Sequence, residues 1–173
     1  MNNEIRITSG IYKGQKLATP GGKTHPMGER ERIALFNMVV DYIPGARLLD
    51  AFAGSGALGI EALSRGASEV EFLEKSPTVA KTIRSNLKKF ELKARVCVSD
   101  AANFTSSEAF DVILADPPYD DFDLESIEYL SGFLKSGGIL VLSHPGEAPE
   151  VSGMSVEKSR SYAGATISIY RGA

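Results

Sequence analysis

Asp116-Pro117-Pro118-Tyr119 carries the most specific chemical signal in the chain. Two consecutive prolines fix the backbone and remove two N–H donors. What remains is a surface of acceptors, the Asp116 carboxylate and the Pro117 carbonyl. Such a surface suits an exocyclic NH₂ group. The lone pair of an aromatic amine is delocalised into its ring, and two acceptors on its hydrogens draw the nitrogen toward a tetrahedral, nucleophilic geometry. Tyr119 adds a face on which a planar base can stack. Pro-Pro would also serve a plain rigid loop. Here, however, acid, prolines and aromatic coincide directly after the apolar run DVILA, at a strand end of the kind where α/β sheets bind ligands.

A second constellation is Asp50-Ala51-Phe52-Ala53-Gly54-Ser55-Gly56-Ala57-Leu58-Gly59. Its glycines fit G-x-G-x-x-G between a strand and a helix, where a backbone without Cβ atoms lets a ligand approach and the helix N-terminus offers N–H groups to an anion. The acid ahead of the glycines argues against a bare pyrophosphate. It welcomes a ligand with an ammonium group, whose carboxylate meets the loop N–H groups; S-adenosylmethionine carries both. Glu74 ends the next strand, where an acid accepts hydrogen bonds from ribose hydroxyls. That feature is common to NAD and S-adenosylmethionine sites and does not separate them. Asp100, past the third strand, is placed for an adenine edge or for a simple helix cap. With Phe52, Ala53, Ser55, Lys75 and Ala101, these residues form the candidate cofactor-binding set. His144-Pro145-Gly146 reads as a turn, and Cys97, between valines, as core.

These residues need a scaffold that brings strand ends to one edge. Strands are expected at Arg47–Phe52, Glu69–Leu73, Ala94–Val98, Asp111–Ala115 and Ile139–Ser143. Helices are expected at Glu29 to about Asp41, Ala57–Ser64, Pro77 to about Phe90 and Asp123–Leu134, the last capped by Gly137-Gly138. The alternation predicts an α/β domain with a mainly parallel sheet and helices on both faces. A hairpin over 151–171 adds antiparallel edge strands, and residues 4–19 read as two short strands around a turn at Tyr12-Lys13-Gly14.

At 173 residues, 43% hydrophobic and 24% charged, the chain has the size of one domain, with the first 28 residues as a basic arm and 29–173 as the core. One cysteine excludes an internal disulfide and a Cys-rich zinc site, and two histidines do not build a metal centre. No stretch approaches the ~20 apolar residues of a membrane span, and the opening residues lack a signal-peptide pattern, so the expected address is the cytoplasm. The net charge of −3 hides a partition. Arg6, Lys13, Lys16 and Lys23 face Glu4 alone in the arm, while the remainder is acidic. That pattern suits a local nucleic-acid contact or a solvated hairpin, not a general polyanion coat.

The segments DAFAGSGALGIEALSRGA, EFLEKSPTVAKTIRSNL and DVILADPPYD, with RITSGIYKGQKLATP ahead of them, resemble the RsmD-type family of small-subunit ribosomal RNA guanine-N2 methyltransferases. The resemblance covers roughly residues 5–145. It implies a class I S-adenosylmethionine-dependent methyltransferase (Rossmann-like) fold with a seven-stranded sheet. It also implies S-adenosylmethionine as methyl donor and ribosomal RNA of an assembling small subunit as partner, with no metal and no membrane. Asp50, Gly54 and Gly56 match the donor loop, Glu74 the ribose acid, and Asp116, Pro117, Pro118 and Tyr119 the amine-binding tetrapeptide. Arg6, Lys13, Lys16, Arg30 and Arg32 match basic, RNA-facing positions, and His25 stands where the family usually has arginine. The chain departs from the family at His25-Pro26-Met27, usually Arg-Pro-Thr, and at Ile33, usually Glu. Three alternatives remain open on the residues: another amine methyltransferase acting on DNA adenine or a protein glutamine, an NAD-dependent oxidoreductase, and a non-catalytic RNA-binding assembly factor. The oxidoreductase lacks a hydride-handling group, and the assembly factor has little use for Asp116–Tyr119.

Overall fold

The computed structural model describes residues 4–21 and 26–172. Its centre is β3 (Arg47–Ala51), flanked in parallel by β4 (Glu69–Glu74) and β6 (Phe110–Ala115). The seven-stranded order is β5-β4-β3-β6-β7-β9-β8, with β5 spanning Arg95–Val98 and β7 Leu134–His144. The strands from β5 to β7 are parallel; β9 (Ala165–Gly172) runs antiparallel to β7, and β8 (Met154–Tyr162) antiparallel to β9. This is the class I methyltransferase arrangement. A separate two-stranded ladder joins β1 (Ile5–Arg6) to β2 (Lys16–Leu17).

Side chains alternate between two cores. Leu48, Phe72, Val112, Val141 and Ile167 face one side, under α1 (Glu29–Met38), α2 (Ala57–Ser64) and α3 (Pro77–Lys89). Leu49, Ile113, Leu140 and Tyr170 face the other, under α4 (Leu124–Ser131) and Phe104. The α2 sequence ALGIEALS is apolar nearly all round because it is covered twice, by the sheet and by the β1–β2 hairpin. Ile5, Ile7 and Leu17 of that hairpin are buried in the first core, so the basic segment is a packed part of the fold with a charged outer surface.

Three expectations need correction. Gly137-Gly138 does not cap α4, which ends at Gly132. Leu134 already pairs with Phe110, while Val112 pairs with Ile139, so the intervening residues bulge out of β7. Gly138 is required there because a Cβ would stand 3.0 Å from the Asp111 and Lys135 carbonyls. His144 is not part of a turn: it ends β7, buried, with Nε2 2.8 Å from Ser168 Oγ. Cys97 is half-buried on edge strand β5, packed against the second core rather than within it.

Candidate active site

Register brings the two constellations together. Ala51 pairs with Ala115 at the ends of adjacent parallel strands, so the glycine loop and Asp116-Pro117 leave the sheet side by side, about 5 Å apart.

The loop after β3 is held by unusual backbone and by side chains from below. Phe52 (φ 60°), Gly54 (φ 55°) and Gly56 (φ 79°) all lie in the left-handed region, and Phe52 adopts it against its own Cβ. Asp50, 1% exposed, accepts from the Gly59 N–H at 2.8 Å and so binds the first turn of α2 to β3. Burial pushes its carboxyl well above the usual range, the Gly59 hydrogen bond opposes this, and the nearby Asp116 and Glu74 charges add to the rise. Glu74 accepts from the Gly54 N–H through Oε2 and from the Ser76 N–H through Oε1, both at 2.9 Å. Gly59 is needed for packing, since a Cβ would lie 2.3 Å from Phe72. Gly54 is different: no protein atom lies within 4 Å of where its Cβ would be, so the space above it is open.

Lys75 meets Asp121 at 3.2 Å, an exposed ion pair that joins the residue after β4 to the 3₁₀ turn Tyr119–Asp121. Asp100 is exposed, and it begins the short 3₁₀ turn Ala101–Asn103 without a side-chain cap bond. Its carboxylate faces solvent at the same edge, beside half-buried Ala101.

On the β6 side, Pro117 is buried and Pro118 exposed. The Pro118 carbonyl accepts from Asp121 N–H at 3.2 Å, whereas no backbone N–H of the described residues donates to the Pro117 carbonyl. Burial raises the Asp116 carboxyl to about 6, partly offset by a hydrogen bond from Ser143. The Tyr119 hydroxyl lies 2.6 Å from Ser143 Oγ, so the phenol of this half-buried side chain is anchored. Ser143 thus stands between the acid and the aromatic. Its place at the end of an apolar strand gave the sequence no distinguishing mark.

The basic positions divide. Arg6, Lys13 and Arg30 are exposed, and Lys16 pairs with Glu4 at 2.6 Å while remaining 44% exposed. Arg32 does not face solvent. It is 2% exposed, donates to the Arg6 carbonyl at 2.6 Å and lies 3.4 Å from Glu61, so it cannot meet RNA. Burial lowers its guanidinium pKa, against the pull of Glu61. Glu61 itself accepts from Thr8, Ser9 and Arg65 and locks the hairpin to α2. A lone acid in an otherwise apolar helix was the available signal. His25 lies outside the described residues.

The family described as "Conserved hypothetical protein 95" matches residues 5–171. The chain belongs to it. Among the family's relatives, "Putative rRNA methyltransferase YlbH" of Bacillus subtilis is 35% identical over 96% of this chain and 98% of its own. "Ribosomal RNA small subunit methyltransferase D" of Haemophilus influenzae is 39% identical over 67% of this chain and 64% of its own. A solved structure titled "Putative methyltransferase yhhF from Escherichia coli" superposes with a TM-score of 0.87 at 31% identity, covering 98% of each chain. The fold and this family carry S-adenosylmethionine as cofactor, and the site fits it. Gly54 leaves open space at the loop, and Glu74 reaches that loop through the Gly54 N–H, an acid at the strand end suited to ribose hydroxyls. Among the described residues, no group of three His, Cys, Asp or Glu side chains is placed to hold a metal ion, and no helix is long and apolar enough to cross a membrane.

Proposed function

We propose that the protein transfers a methyl group from S-adenosylmethionine to the exocyclic N2 amine of a guanine in small-subunit ribosomal RNA, acting in the cytoplasm on an assembling subunit. The observation that carries this reading is the Asp116–Tyr119 tetrapeptide beside the open Gly54 loop, with the Tyr119 hydroxyl anchored on Ser143. When bound, the cofactor supplies an electrophilic methyl on a sulfonium.

Glu74 holds the loop through Gly54 and keeps lone pairs for ribose hydroxyls. Asp50 acts from beneath the loop: its bond to Gly59 fixes the start of α2. Asp116 and the Pro117 carbonyl accept from the two amine hydrogens, and Tyr119 stacks the base, which must be unpaired or turned out of its helix to reach a strand end. The rate gain comes from positioning. The amine proton leaves after transfer, so no strong base is needed, and the buried His144 lies outside the arrangement. The outer faces of Arg6, Lys13, Lys16 and Arg30 meet phosphates.

The test is methyl transfer from labelled S-adenosylmethionine to small-subunit RNA and to partly assembled particles, followed by mass spectrometry of the modified nucleoside. N2-methylguanosine is the expected product. A label on a ring nitrogen, on adenine or on a protein amide would replace this reading with a different acceptor.

A further inference from the structure

Asn86 is a polar residue at a core position of α3, 1% exposed, beside the buried Ile83 and Leu87. Its amide is fully engaged in one direction. Oδ1 accepts from the Ala18 N–H at 2.9 Å, and Nδ2 donates to the Ala18 carbonyl and to the Ser55 carbonyl, each at 2.9 Å. Ala18 follows β2 of the N-terminal hairpin, and Ser55 lies within the glycine loop. The amide cannot be reversed: Oδ1 would then face two carbonyl oxygens and Nδ2 an N–H group. The side chain therefore pairs with Ala18 as a neighbouring strand would, and hands its remaining N–H to the loop.

That last bond has a consequence for ligand binding. A loop that receives a carboxylate must present N–H groups and turn its carbonyls away. The Ser55–Gly56 peptide is fixed from both sides, by Asn86 on the carbonyl and by the Gly56 N–H donating to the Ala53 carbonyl at 2.7 Å. Without Asn86 the Ser55 carbonyl loses its partner and the peptide keeps only the Gly56 N–H bond to Ala53, so the loop that must present N–H groups is held less firmly.

We propose that Asn86 is a positioning residue for the methyl donor, and that through it the N-terminal hairpin is a structural part of the donor site. The proposal rests on the reading of residues 52–56 as the donor loop. The hairpin is thus more than an RNA-facing extension: its seating against α3 sets the inner peptide of the loop that receives the donor.

The experiment is calorimetric titration of the full chain with S-adenosylmethionine, on variants shown by circular dichroism to be folded. Asn86→Ala removes all three bonds, and Ala18→Pro deletes the N–H that Asn86 accepts while leaving the loop sequence untouched. Each should weaken donor binding by about tenfold or more. Ser64→Ala is the control. It removes another buried tie to the hairpin, to the Ser9 carbonyl and the Tyr12 N–H, without touching the loop. It should lower the melting temperature and leave donor affinity unchanged. Asn86→Asp places an oxygen against two carbonyls, and its donor affinity relative to wild type at the same pH should recover as pH falls and the acid gains an O–H donor. If Asn86→Ala does not fold, Ala18→Pro decides. Wild-type affinity in the folded variants, or an equal loss in Ser64→Ala, overturns the proposal alone. Failure of the wild-type chain to bind the donor overturns it together with the donor-loop reading.

Discussion

Asp116 sets the expected pH dependence. Its carboxyl, raised to about 6 by burial, must be ionised to accept from an amine. Single-turnover methyl transfer with saturating donor should therefore fall about tenfold per pH unit below the carboxyl's pKa in the donor complex, which lies under that of the free chain. An Asp116→Asn variant should lose the inflection and roughly ten- to a hundredfold in rate, since an amide N–H facing the substrate amine leaves both unpaired. A wild-type rate in that variant would remove Asp116 from the chemistry. Tyr119 makes a separate case. Its sequence context suggested that the ring face alone matters, so that Tyr119→Phe would cost little. The 2.6 Å bond to Ser143 changes the expectation. Tyr119→Phe and Ser143→Ala should each slow transfer by about two- to tenfold, the worth of one net hydrogen bond, and the double variant should be little worse than Ser143→Ala alone. Additive losses would show that the two side chains act independently. Tyr119→Ala, which also loses the stacking face, should be the most impaired.

Among the elements, the hairpin separates charge that binds from charge that supports. If Lys13 and Lys16 meet phosphates, the Lys13→Ala, Lys16→Ala double variant should lower the salt slope of RNA binding by about one unit per lysine, with stability unchanged. Arg32→Met should do the reverse. It leaves buried Glu61 with fewer partners, costing about 1–3 kcal/mol in urea unfolding, while the salt slope stays at the wild-type value. A lowered slope in Arg32→Met would contradict its burial. The contrast also explains what the sequence could show. The strand–loop–helix units, the glycine loop and the tetrapeptide are local patterns, and most of their ends were legible to within a residue or two, although α1 and α4 end three residues earlier than expected and β7 begins five residues earlier. Arg32, Asn86 and Ser143 were not, because their partners Glu61, Ser55 and Tyr119 are joined to them only by the tertiary fold. Gly137-Gly138 misled for a related reason: two glycines after a helix satisfy a cap and a bulge equally well, and only the pairing of Val112 with Ile139 decides between them.

At the scale of the molecule, the fold gathers Asp50, Glu74 and Asp116 at one sheet edge, where burial raises the carboxyl pKa of Asp50 and of Asp116 and the neighbouring acids raise that of Asp50 further. The linkage has a definite sign. A carboxyl whose folded pKa lies above its unfolded value stabilises the fold below the unfolded pKa, and that contribution is lost as pH rises through the folded one. For Asp116 the loss falls between its ordinary value of 3.8 and about 6. The chain without donor therefore carries ionised, poorly solvated acid at neutral pH. A cationic ligand beside these groups favours their charged forms and lowers their pKa, so donor binding should release protons near pH 6. S-adenosylmethionine should accordingly bind more tightly at pH 7 than at pH 5, and raise the melting temperature more at the higher pH when its concentration is held constant. Calorimetric titrations near pH 6 in two buffers of different ionisation enthalpy measure the proton count directly. Proton release that disappears in Asp116→Asn would assign the effect to this carboxyl. Affinity independent of pH, with no protons released, would mean that the donor's positive charge does not sense the acids of the strand ends.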